Sequence, residues 1–133
     1  MSETEASLRR ILSNVLQVIS DQGLAIANDG NISARLDDDR LLITPAGLYK
    51  RWIEPADLLV VNYEGKLLEG RIGLRPTSEL LLHLEVYHQR KDIHAAIHAH
   101  PPYATALTVS EIPYPTNLIP EAAAALGEVP TAP

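Results

Sequence analysis

The stretch Ile97-His98-Ala99-His100-Pro101-Pro102 constrains the fold of this chain more than any other. Two histidines one residue apart act together only on extended backbone, where side chains i and i+2 leave the same face. On a helix they would diverge by roughly 200°. The double proline ends a strand immediately after His100 and can open a helix. Upstream, Asp92 reads as the turn before a short buried strand that runs through Ile93 and Ile97. The histidine pair therefore falls at the carboxyl end of that strand, a common place for a site in an α/β sheet.

The rest of the chain supplies layers for such a sheet. Leu8, Ile11, Leu12, Val15, Val18 and Ile19 recur at helical spacing and predict an amphipathic helix from about Thr4 to Asp21, with Arg9, Arg10, Ser13, Asn14 and Gln17 on its outer face. Ser2 and Glu5 have capping-box spacing, and Gly23 suits the C-terminal stop. Ile32 to Leu36 and Arg40 to Thr44 read as a hairpin around Asp37-Asp38-Asp39, a solvated turn. Thr44-Pro45-Ala46-Gly47 makes a sharp turn. Leu58 to Asn62 and Lys66 to Glu69 form a second hairpin around Tyr63-Glu64-Gly65. Arg75-Pro76-Thr77-Ser78-Glu79 opens a helix to about Gln89, capped by Thr77 or Ser78, with Leu80, Leu81, Leu84 and Tyr87 inward. Downstream come a short helix from Tyr103 to Val109, an extended Ile112-Pro113-Tyr114-Pro115 link, an alanine-rich helix from Glu121 to Leu126, and the start of a strand after Gly127.

Several of these pieces can carry chemistry. Asn28-Asp29-Gly30-Asn31-Ile32-Ser33 can aim successive backbone amides into one concavity that binds anions, although a plain turn explains it as well. The hydroxyls of Thr77 and Ser78 at a helix N-terminus make a second phosphate seat. Glu79 falls in that helix's first turn, where dipole pairing alone accounts for a carboxylate. His83 and His88 lie within the helix as surface or packing residues. His94 shares strand parity with the pair, but some 13 Å of strand separates it from His98, too far to join the same ion.

Bulk properties narrow the classes. A chain of 133 residues suits one domain with a real core. It is 46% hydrophobic and 21% charged, with a formal net charge of −6. That field favours neither nucleic acid nor an anionic membrane, so an anionic substrate would need a local device. The absence of cysteine excludes disulfides and thiolate ligands and fits a cytoplasmic protein. The acidic N-terminus is no signal peptide, and no apolar run approaches the ~20 residues of a membrane span.

Taken in order, Gly30-Asn31-Ile32-Ser33, Ile43-Thr44-Pro45-Ala46-Gly47, Pro76-Thr77-Ser78-Glu79 and His98-Ala99-His100 resemble the class II aldolase/adducin family, which includes fuculose- and rhamnulose-phosphate aldolases and ribulose-phosphate 4-epimerases. The resemblance runs from about residue 8 to the C-terminus. It implies a three-layer α/β/α fold around a largely antiparallel sheet, usually in a cyclic homotetramer. It implies a divalent metal, most often zinc, on His98, His100 and a third histidine. It also implies that Glu79 is the acid/base carboxylate, able in some members to touch the metal, and that Gly30, Asn31, Gly47, Thr77 and Ser78 seat the substrate's phosphate. The activity implied is that of a lyase, an aldolase that cleaves a small phosphorylated sugar through a metal-bound enediolate. Epimerases, dehydratases and decarboxylases of the family pass through similar enolates, and adducin-type members are non-catalytic assembly modules.

Three departures qualify the match. Ala46 stands where several aldolases carry threonine. The tyrosine that several aldolases use as proton donor has its nearest counterpart in Asn117, with Tyr114 close by. The third metal histidine is expected in a downstream segment that this chain does not have, which would make it a single domain incomplete at its C-terminus, with an exposed sheet edge and apolar face that invite association.

Overall fold

The computed structural model describes residues 3–115 and 119–130. Contacts divide the chain into two units, one up to His100 and one from Pro101 onward. In the first, helix α1 (Glu3–Asp21) leads into strands β1 (Asn31–Arg35) and β2 (Arg40–Ile43), then β3 (Leu59–Asn62), β4 (Leu67–Glu69), helix α2 (Leu80–Gln89) and strand β5 (Ala95–His98). The second unit holds helices α3 (Pro102–Val109) and α4 (Pro120–Leu126). Residues 128–130 form no strand, contrary to the expectation for the segment after Gly127. Ser2, the expected α1 cap, and Asn117 lie outside the described residues.

Every strand pair is antiparallel, and the sheet order is β4-β3-β2-β1-β5. Both hairpins expected from the turn residues are present. Strand parity then divides the core. Ile32, Ala34, Leu42 and Val60 pack with Leu12 and Leu16 of α1 on one face. Leu41, Ile43, Leu59 and Val61 pack with Leu84 and Tyr87 of α2 on the other. The result is helix, sheet, helix: an α/β fold whose strands alternate between two buried faces.

Four local expectations change. Arg9, expected outside, is 7% exposed, because its guanidinium donates to the carbonyl oxygens of Leu58 (2.6 Å) and Pro55 (3.3 Å) and pairs with Glu5 at 2.8 Å. The buried stripe of α1 is thus rotated toward Arg9 and Leu16, leaving Ile11 and Val18 each 53% exposed. On α2 the inward set is His83, Leu84 and Tyr87, with Leu80 at the margin, while Leu81 is 78% exposed. Glu79 is the N-cap residue of α2 rather than part of its first turn, and its amide donates to the Thr77 hydroxyl at 3.4 Å. The strand carrying His98 is not buried: β5 is an edge strand with β1 as its neighbour, and Ile97 is 53% exposed.

Candidate active site

The site forms where β1, β5 and the start of α2 meet. Directly opposed residues of antiparallel strands point the same way, and Asn31 lies opposite His98. Residues 31, 33 and 35 share the face toward α2, so β1 turns Asn31, Ser33 and Arg35 to that helix while Ile32 and Ala34 enter the α1 core. Gly30 permits the approach. Its φ is +74°, and a Cβ there would lie 2.9 Å from the carbonyl oxygen of His98. His100, beyond the end of β5, is tied down by its amide, which donates to Leu24 O at 2.8 Å.

Glu79 is at the centre. Its Oε2 accepts from Asn31 Nδ2 at 2.7 Å and from His98 Nδ1. Burial raises the Glu79 pKa, but hydrogen bonds from Asn31 and His98 outweigh it, and the group ends below its ordinary value. Donation from Nδ1 leaves the lone pair of His98 on Nε2. That Nε2 faces His100 Nε2 at 3.0 Å. Glu79 therefore touches one side of the His98 ring while the two histidines meet on the other. Among the described residues no three histidine, aspartate or glutamate side chains form a group that could hold a metal alone. The two Nε2 atoms still fit a divalent ion in part. Two nitrogens bound tetrahedrally at ~2.1 Å stand about 3.4 Å apart, close to the observed spacing, and neutral imidazoles are suitable donors.

Behind Glu79 lies a polar chain with a defined direction. His83 is fully buried, and burial pushes its pKa down to about 4. It is neutral at pH 7, so one ring nitrogen donates and the other accepts. Asn31 gives its NH2 to Glu79, so its Oδ1 accepts from His83 Nε2. His83 Nδ1 then accepts from the Ser33 hydroxyl at 2.6 Å, which leaves Ser33 Oγ to accept from the Tyr87 hydroxyl at 2.9 Å. The Glu79 carboxylate, which only accepts, fixes which way the Asn31 amide faces and with it the direction of the chain. Sequence reading assigns His83 to the surface or to packing and does not single out Ser33. The available signal is the alternation Asn31-Ile32-Ser33-Ala34-Arg35, polar on the face that an apolar strand would bury.

Beside Glu79 is a pocket of about 180 Å³. Gly30, Asn31, Gly47, Thr77 and Ser78 all line it, as do Glu79 and His100, so the structure brings the expected anion-seat residues together. Gly47 takes a φ of +76° in the turn after Pro45, and an isolated bridge between Pro45 and Pro76 joins that turn to the approach of α2.

Comparison with known proteins places this arrangement in a family. The model of the class II aldolase and adducin N-terminal domain matches residues 10–133. The chain belongs to the class II aldolase and adducin family. It is 37% identical over 109 residues to a methylthioribulose-1-phosphate dehydratase of Methylococcus capsulatus, covering 81% of this chain and 52% of that protein. It is 32% identical over 117 residues to a 3-oxo-tetronate 4-phosphate decarboxylase of Cupriavidus necator, covering 88% of this chain and 52% of that one. The L-fuculose-1-phosphate aldolase of Thermus thermophilus superposes with a TM-score of 0.76 at 35% identity, over 90% of this chain and 59% of the aldolase. The chain thus spans about half the length of the curated relatives it matches. Among the described residues, no helix is long and apolar enough to cross a membrane.

Proposed function

We propose that this chain carries the acid/base and phosphate-binding part of a lyase acting on a small phosphorylated sugar, with aldol cleavage as the first reading. The observation that carries the proposal is the position of Glu79. One carboxylate oxygen is held by Asn31 and His98, and the pocket beside it gathers the anion-seat residues.

Glu79 enters the reaction as a carboxylate, because its pKa lies below the ordinary value. Both its side-chain hydrogen bonds fall on Oε2, which leaves Oε1 to take a carbon-bound proton and later return it. The amides around Gly30 and Gly47 and the hydroxyls of Thr77 and Ser78 hold the phosphate and supply binding energy remote from the breaking bond. His98 and His100 would hold the divalent ion, most plausibly zinc, with the rest of its shell coming from water or from groups outside this set. When bound, that ion supplies Lewis acidity that stabilises negative charge developing on the substrate. The Glu79 contact orients His98 by fixing its Nδ1–H, the role that carboxylates play behind metal-binding imidazoles.

Dehydration or decarboxylation is the second reading, and similarity favours it: the dehydratase and decarboxylase relatives match over more than four-fifths of the chain. Both pass through a similar enolate, formed by loss of a carbon-bound proton in dehydration and by loss of CO2 in decarboxylation, and the residues described here serve either. Assembly into a homo-oligomer, a tetramer in the family pattern, accords with the exposed β5 edge and with Leu81 and Leu82 at 78% and 50% exposure. A cysteine-free composition suits the cytoplasm.

Elemental analysis of the purified chain tests the metal assignment. Near-stoichiometric zinc or another divalent metal in the wild type, lost in His98→Ala and His100→Ala, is the expected result, and no bound metal in the wild type would sink it. A retro-aldol assay across ketose 1-phosphates then separates the reactions. Turnover abolished by Glu79→Gln supports the aldolase, and its absence with every ketose moves the assignment to epimerisation, dehydration or decarboxylation. Absence of these activities, epimerisation included, in a metal-loaded protein leaves the non-catalytic, adducin-like alternative.

A further inference from the structure

Lys50 is buried where a lysine is costly. It opens a 3-10 turn (Lys50–Trp52), its amide donates to Ala27 O at 2.8 Å, and the residue is only 2% exposed. Its Nζ donates to the carbonyl oxygens of Leu48 at 3.2 Å and Pro45 at 3.5 Å. Neither partner is charged, and among the described residues Lys50 forms no salt bridge. Burial lowers its pKa, and the more distant carboxylates of Asp29 and Glu79 oppose that shift. A buried ammonium without an ion pair destabilises a fold unless it is retained for a ligand.

Its position indicates the ligand. Lys50 lines the same pocket of about 180 Å³ as Gly47, Thr77 and Ser78. Apart from the His100 ring, assigned above to the metal, the other donors there are neutral amides and hydroxyls, whereas Asp29 and Glu79 contribute negative charge to the walls. The chain as a whole carries a formal net charge of −6. A phosphate entering this pocket would meet repulsion at close and at long range unless a cation faced it. An ammonium has three donors, and carbonyls occupy two, the longer at the limit of a hydrogen bond. A third remains for an anionic oxygen.

We propose that Lys50 is the charged member of the anion seat, that its ammonium pairs with the substrate's phosphate, and that it makes the site select a phosphorylated over an unphosphorylated sugar. This rests on reading the pocket as the phosphate seat, but on neither the metal nor the reaction. The alternative role is structural, with Lys50 merely tying down the Pro45–Leu48 turn.

Calorimetric titration of inorganic phosphate into the chelator-treated full chain separates the two. Lys50→Gln keeps a donor for the turn carbonyls and removes the charge; Lys50→Met keeps the stem and removes both. In both variants, with wild-type circular dichroism, phosphate affinity is expected to fall by about tenfold or more, the scale of one lost charge-assisted hydrogen bond. Unchanged affinity in folded Lys50→Gln overturns the proposal, as does a wild type that binds no phosphate. If neither variant folds, the wild type still decides. The other lysines are Lys66 and Lys91, both exposed, so the 15Nζ resonance of the buried ammonium is readily distinguished. It must shift as phosphate saturates the site, and an unmoved resonance would refute the pairing. Because neither measurement uses metal or turnover, Lys50-dependent phosphate binding stands even if the lyase reading fails. Conversely, unchanged affinity in Lys50→Gln removes Lys50 and leaves the lyase reading intact.

Discussion

The neutrality of His83 has a measurable thermodynamic consequence. In the unfolded chain its imidazole titrates at about 6.5, and in the fold burial holds it near 4, with Glu79 opposing and His98 reinforcing the shift. A base whose folded pKa is depressed binds its proton more readily when unfolded. Its contribution to stability is therefore intact above the unfolded pKa and is lost as the pH falls through 6.5 toward 4. The full loss is about 3 kcal/mol, of which about 2 kcal/mol appears between pH 7 and pH 5. Other groups titrate in that range, so the contribution is isolated by comparison with His83→Gln, which offers a donor and an acceptor but no ionisation. Urea unfolding of both proteins at pH 7 and pH 5 should show the wild type losing about 2 kcal/mol more than the variant over that interval. NMR titration of the wild-type imidazole provides a check that does not require the variant to fold. Parallel stability curves, or a His83 resonance titrating near 6.5, would show that the polar chain behind Glu79 is not held in its neutral form.

Three further substitutions follow from the packing. Arg9→Met removes a buried cation bound to Leu58 O, Pro55 O and Glu5, and should lower stability by about 3 kcal/mol in urea unfolding. Arg51→Ala, which breaks the half-exposed pair with Asp21, should cost less than about 1 kcal/mol, so equal losses would refute the ranking. Gly30→Ala places a Cβ 2.9 Å from His98 O at a φ of +74° and should cost at least about 1 kcal/mol. Since His98 must give way, zinc affinity should weaken as well; unchanged affinity in a zinc titration would show that the Gly30–His98 contact does not set the histidine's position.

Much of the framework was legible before any coordinates. The alternation in β1 and the short apolar runs of β2 and β3, with Asp37-Asp38-Asp39 and Glu64-Gly65 at the turns, specify the β1–β2 and β3–β4 hairpins because strand pattern and turn chemistry are local properties. The pair His98 and His100 required extended backbone for the same reason, and the ordered motifs identified the family. Less legible were properties that depend on neighbours. Helical spacing predicts a stripe on α1 but not its rotation, which accompanies the hydrogen bonds that Arg9 donates to the carbonyls of Pro55 and Leu58. The apolar run before His98 reads as a buried strand, yet burial depends on how many strands lie beside it.

The sequence by itself determined most of the elements and the family, because each depends on spacing along the chain or on a motif held within a few positions. The tertiary structure alone decided which nitrogen of His98 faces Glu79, how Glu79 acting through the Asn31 amide directs the His83 ring, and that Lys50 is buried in the anion seat without an ion pair. His98 and Glu79 are 19 positions apart, Asn31 and Glu79 are 48, and Asn31 and His83 are 52. Hydrogen-bond direction and desolvation arise only when such distant groups share a space that excludes water.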